Sequence, residues 1–169
     1  TYAGGGTPIS HSGNKSVVIY TAANADAAKY SSHANNLEHL QGVAQRLSLD
    51  DSKKYKLQFF YYRPNLVWGT TNVAANINHA EKIVVGIVSS TGANTNTDYT
   101  YEKVITLEKT EGWKEYNITF DLPDIIQKNP GKSFEKCAIF FNIVPEIDSA
   151  QKTLKTLVNL DDISLTETK

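Results

Sequence analysis

Apolar residues recur at every second position in short runs separated by turn-forming stretches, the mark of half-buried strands. The runs cover residues 16–21, 42–49, 55–63, 82–89, 99–107, 113–122, 134–144 and 157–165. The segment 82–89 departs from alternation: Ile83, Val84, Val85, Ile87 and Val88 are nearly continuous, as in a central strand covered on both faces. Residues 21–36 and 64–80 are Asn- and Ala-rich without clear period and read as loops, with a short helix an alternative for 22–30. Glu108-Lys109-Thr110-Glu111-Gly112 reads as a hairpin turn between the strands on either side. Residues 123–129 suit one helical turn, stopped by Pro130-Gly131. Eight strands without a long helix predict an all-β sandwich. No repeat or linker divides the chain, so 1–169 reads as one domain with its core at about 9–166, excised from a larger protein.

The stretch 55–63 concentrates rings. Tyr55, Leu57, Phe59 and Tyr61 share one face, while Lys56, Gln58, Phe60 and Tyr62 share the other. Two rings beside amide and ammonium groups on a non-core face suit a surface that stacks on something flat and polar. Arg63 and Trp68 follow and would add to it. The alternative is that Phe60 and Tyr62 pack under a loop and Trp68 plugs the sandwich edge.

Composition narrows the chemistry. A net charge of −1 gives no electrostatic footprint for nucleic acid. No apolar run approaches the roughly 20 residues of a membrane helix. The single Cys137 excludes an internal disulfide and, among apolar neighbours, reads as an inert core thiol. His11, His33, His39 and His79 lie in loop-like segments without ligand spacing and read as solvated surface. No nucleophile elbow, phosphate loop or facing carboxylate pair is present, so an enzyme is not expected. Asp161-Asp162 interrupts an apolar strand. Val158 and Leu160 are in one phase and Ile163 and Leu165 in the other, which predicts a β-bulge at the pair. A hard cation held by carboxylate and backbone carbonyls would suit it. The other reading is that one Asp accepts backbone N–H bonds while its neighbour faces water.

Taken in order, Ser12-Gly13-Asn14-Lys15-Ser16-Val17, Gln45 before Leu47, Tyr55-Lys56-Leu57-Gln58-Phe59-Phe60, Gly112-Trp113-Lys114-Glu115-Tyr116 and Leu160-Asp161-Asp162-Ile163-Ser164-Leu165 form a recognisable series. The series resembles the carbohydrate-binding modules of families 4, 9 and 22, jelly-roll β-sandwiches of the galactose-binding type attached to bacterial xylanases and glucanases. The resemblance implies a non-catalytic, monomeric module of a secreted, cell-surface or periplasmic protein. Such a module binds a β-1,4-linked polysaccharide, xylan first and β-glucan second, in a concave cleft and serves an attached glycoside hydrolase. It implies Phe60 and Phe140 as cleft aromatics, Asn142 as a polar ligand and Tyr101 near a cleft tyrosine. It also implies a structural calcium on Asp161, with the backbone near Asn14 and Lys15 as partners. The family's Asn-Gly-Asp-Phe-Glu-like first strand, which supplies further calcium ligands, has no counterpart here. A structural or protein-interaction sandwich of a surface lipoprotein is the rival from another class.

Overall fold

The computed structural model describes residues 10–13, 15–21, 42–63, 78–89, 99–144, 150 and 156–168. The strands are β1 (Val17–Thr21), β2 (Gly42–Leu47), β3 (Lys54–Tyr62), β4 (Asn78–His79), β5 (Lys82–Ser89), β6 (Tyr99–Thr106), β7 (Lys114–Asp121), β8 (Cys137–Val144) and β9 (Thr156–Thr168), with helix α1 at Leu122–Lys128. They form two sheets. One runs β1-β9-β3-β7, with β4 added parallel to the start of β9; the other runs β2-β8-β5-β6. All other pairings are antiparallel. This order is that of a jelly roll, two Greek keys folded face to face. The sheets are called here the terminal sheet, which holds β1 and β9, and the β5 sheet.

Alternation decides what lies between them. Leu57, Phe59 and Tyr61 of β3, with Ile118 and Phe120 of β7, meet Ile83, Val85 and Ile87 of β5 and Ile139, Phe141 and Ile143 of β8. Phe59 is at the centre, edge-on to Phe141 across the sandwich with ring centroids 5.1 Å apart. Burial of each such side chain stabilises by about 1.5–3 kcal/mol. The unbroken apolar run of β5 has its predicted cause: the strand is paired on both sides and Val84 is as buried as Val85. Helix α1 starts where Asp121 accepts the Asp124 N–H, and it caps the core with Leu122 and Ile125. Cys137 is buried, and desolvation pushes its thiol up to about 11, so it is unreactive.

The segment 108–112 is not a hairpin turn. β6 and β7 belong to different sheets, so the connection crosses the sandwich. Instead of closing on itself, it is tied to the end of β3: the Thr110 N–H donates to the Arg63 carbonyl, and the Arg63 N–H donates to the Thr110 hydroxyl. Both strands still show alternation, because each lines the same core from opposite sides; Tyr101 of β6 meets Phe120 of β7 edge-on at 5.8 Å.

Candidate ligand-binding face

Register places the two predicted cleft aromatics on opposite sides of the molecule. Phe60 alternates with core-facing Phe59 in the terminal sheet, and Phe140 alternates with core-facing Phe141 in the β5 sheet. Each points outward, but from a different sheet. Gln58, Phe60 and Tyr62 therefore share one outer face, and Phe140 and Asn142 share the other. Trp68 and Asn14 lie outside the described residues.

On the terminal sheet the rings cover one another. The His11 imidazole stacks on Phe60 with centroids 3.7 Å apart and planes 13° apart, and Trp113 lies against Tyr62 at 5.7 Å. The Asn117 amide donates to Glu115 at 2.6 Å. Here the packing alternative for Phe60 holds: the ring lies under a loop. Sequence reasoning placed His11 in solvent because nothing local in the chain announces a partner 49 positions away.

The His11 loop is held by β9. Two residues of β9, Asp162 and Ile163, oppose the single Phe59 of β3, so the predicted bulge is present, and Asp162 adopts φ 45°. Asp tolerates that left-handed backbone better than most residues. The bulge presents both carboxylates to the loop. Asp161 Oδ2 accepts the His11 N–H at 2.7 Å and the Ser12 N–H at 3.4 Å. Asp161 Oδ1 accepts the Asp162 N–H at 2.8 Å. Asp162 accepts the Ser12 hydroxyl and the His11 Nδ1–H, each at 2.6 Å. Asp161 thus follows the hydrogen-bonding reading. Its neighbour does not simply face water, since it anchors the loop side chains.

This donor set does not fit the calcium that the resemblance implied. A cation needs oxygen lone pairs converging on one point, whereas the oxygens of Asp161 are aimed at N–H groups. No cluster of three metal-ligating acidic, His or Cys side chains occurs among the described residues, and Lys15 is exposed.

The clasp has a pH signature. The Ser12 hydroxyl first, then His11, holds the Asp162 carboxyl below its ordinary value. A carboxyl with a depressed folded pKa contributes stability above its unfolded pKa of about 3.9, and loses it as pH falls through the folded value. Acidification below about pH 4 is expected to lower the protection factors of the His11 and Ser12 amides, taken against the intrinsic rate at each pH, while β3 stays protected. Unchanged protection there on acidification would refute the clasp.

Arg63 and Tyr101 also leave the predicted cleft. Arg63 is buried and braces the sandwich end: its guanidinium donates to the Leu107 carbonyl at 2.7 Å and to Glu81 at 3.2 Å. Tyr101 faces the core, so its neighbour Glu102 takes the outward position. His79, predicted to be solvated, is buried on β4, and burial, then the Arg63 charge, lowers its pKa.

The outer face of the β5 sheet has a different character. Successive outward positions across it are Gly42, Asn142, Val84 and Val104, then Ala44, Phe140, Gly86 and Glu102. The glycines make room for the larger groups. A Cβ on Gly86 would stand 2.5 Å from the Phe140 ring, and one on Gly42 would stand 1.9 Å from Asn142 Oδ1. Phe140 and Asn142 are 3% and 4% exposed although both point away from the core. Asn142 Nδ2, a donor, and Glu102 Oε2, an acceptor, are buried and have no hydrogen-bond partner. Each such group costs about 1–3 kcal/mol relative to a satisfied one. They are an unpaired donor and an unpaired acceptor on the same sheet face as Phe140, the kinds of group that ligand hydroxyls satisfy. Glu102 was missed because the phase of 99–102 slips where β5 and β6 change register, between Ile87 and Val88.

The chain matches no sequence family model and no curated protein. Solved structures similar to it include a CBM4 structure (16% identity, TM-score 0.48, 76% of this chain and 61% of that one). TmCBM61 in complex with β-1,4-galactotriose is similar at 14% identity and TM-score 0.47, over 94% of this chain and 74% of that one. CBM28, a carbohydrate-binding module specific for non-crystalline cellulose, is similar at 14% identity and TM-score 0.48, over 92% and 78%. The chain thus spans about 61% of the length of the first of these. At this identity and TM-score the likeness decides nothing about ligand, and the jelly-roll fold stands on the chain's own strand pairing.

Proposed function

We propose that this domain binds a β-1,4-linked polysaccharide, xylan first and glucan second, without acting on it, along the outer face of the β5 sheet. The observation that carries the reading is the buried and unpartnered pair Asn142 Nδ2 and Glu102 Oε2 beside Phe140. Sugars offer what that face lacks, hydroxyls that donate and accept next to apolar C–H faces. Asn142 and Glu102 read the hydroxyls. The module serves an attached glycoside hydrolase in a secreted or cell-surface protein; no helix among the described residues is long and apolar enough to cross a membrane.

Isothermal titration calorimetry of the domain with xylohexaose and cellohexaose tests the proposal. Binding in the micromolar to millimolar range, about 4–8 kcal/mol, that is lost in Glu102→Gln or Asn142→Ala is expected. A folded protein that gives no heat with either sugar, nor with a wider glycan panel, contradicts it.

One observation favours a second reading, a protein-interaction sandwich. Val17, Val43 and Ile163 are exposed around an apolar hollow of about 340 Å³ at the edge between β1 and β2. A concentration-dependent dimer in sedimentation velocity, dispersed by Val43→Asp, would support that role.

A further inference from the structure

The outer face of the β5 sheet continues beyond Phe140. The next outward row is Arg46, Ala138 and Val88, two residues and so about 7 Å further along the strands. There the face opens into a hollow of about 710 Å³, within the range of small-molecule sites. Ala138 and Val88 form a low floor, and Arg46, Ser48, Glu135 and Lys136 stand around it. The lining carries two cations against one carboxylate, net +1, on a chain whose overall charge is −1. Arg46 is exposed and has no ion-pair partner among the described residues. Its position in the sheet is fixed by β2–β8 pairing.

We infer that the polysaccharide bound on this face carries carboxylate substituents, and that Arg46 reads a uronic acid in the hollow next to Phe140. The inference rests on the polysaccharide reading and adds its charge. A guanidinium presents a planar fork of donors that matches a carboxylate in a bidentate pair, a geometry an ammonium lacks. Lys136 adds field without that geometry, and the Ser48 hydroxyl stands within the same hollow for the sugar hydroxyls.

The test compares a glucuronic-acid-bearing xylan oligosaccharide with its carboxyl-reduced form, which keeps backbone and branching and removes only the charge. Titrated into the whole domain at low salt, the acidic form is expected to bind roughly tenfold tighter, the scale of one hydrogen-bonded charge pair. That ratio falls with added NaCl. In Arg46→Gln it falls to near one, and in Arg46→Lys it is intermediate, with unchanged thermal unfolding in both. Equal affinities for the two forms in the unmodified domain, or a preference that survives Arg46→Gln, overturn the inference and leave the polysaccharide reading standing. Binding of neither form overturns both.

Discussion

Replacing Phe59 by Ala is expected to cost about 3–5 kcal/mol of stability, the usual range for truncating a fully buried ring. Phe59 is 0% exposed and touches both sheets, stacking on Tyr116 at 5.6 Å and meeting Phe141 edge-on. No neighbour can collapse into the space without breaking the strand pairing that fixes β3 between β7 and β9. For a domain with a total stability of about 5–15 kcal/mol, this is a large fraction. Urea denaturation followed by tryptophan fluorescence would show a lower midpoint at an unchanged slope. Phe60, one residue along, stacks on His11 and is not in the core cluster of the described residues, so Phe60→Ala should cost far less. Equal losses at the two positions would mean that the phase of β3 is wrong.

Asn142→Leu is expected to separate stability from binding. The side chains are close in volume, and the change removes a buried donor that has no acceptor. Unsatisfied polar groups are costly, whereas an apolar group of the same shape is neutral or stabilising. The variant should therefore match or exceed the parent in stability, by up to about 1–3 kcal/mol. It should lose at least tenfold in glycan affinity, about 1.4 kcal/mol. A residue kept at a cost to the fold points to a ligand that repays it. Chemical denaturation and calorimetry on the same preparation read both quantities. Destabilisation with affinity intact would make Asn142 a structural residue and remove the main support for the proposed face.

Much of the fold is legible because period two reports which side of a strand meets the core. It separates Phe59 from Phe60 and Phe141 from Phe140, and the phase break at Asp161-Asp162 announces the bulge. The same signal is silent about which sheet a strand joins. Phe60 and Phe140 both read as outward, and nothing local says that they leave by opposite faces. The segment 108–112 was mistaken for a hairpin for the same reason. Side chains that act across long sequence separations were also hidden. Arg63 reaches Leu107, and His11 reaches Phe60 and Asp162. His79 lies in a strand of two residues, too short to show any period. Glu102 emerges only once the register of β5 and β6 is known, since Tyr101 beside it is the more conspicuous residue.

An amide chemical-shift titration of the domain with xylohexaose locates the ligand. Perturbations centred on Gly42, Ala44, Gly86, Glu102, Phe140 and Asn142 are expected, with His11, Phe60, Tyr62 and Trp113 unmoved. Shifts confined to those last four residues would place the ligand on the terminal sheet and contradict the proposed face.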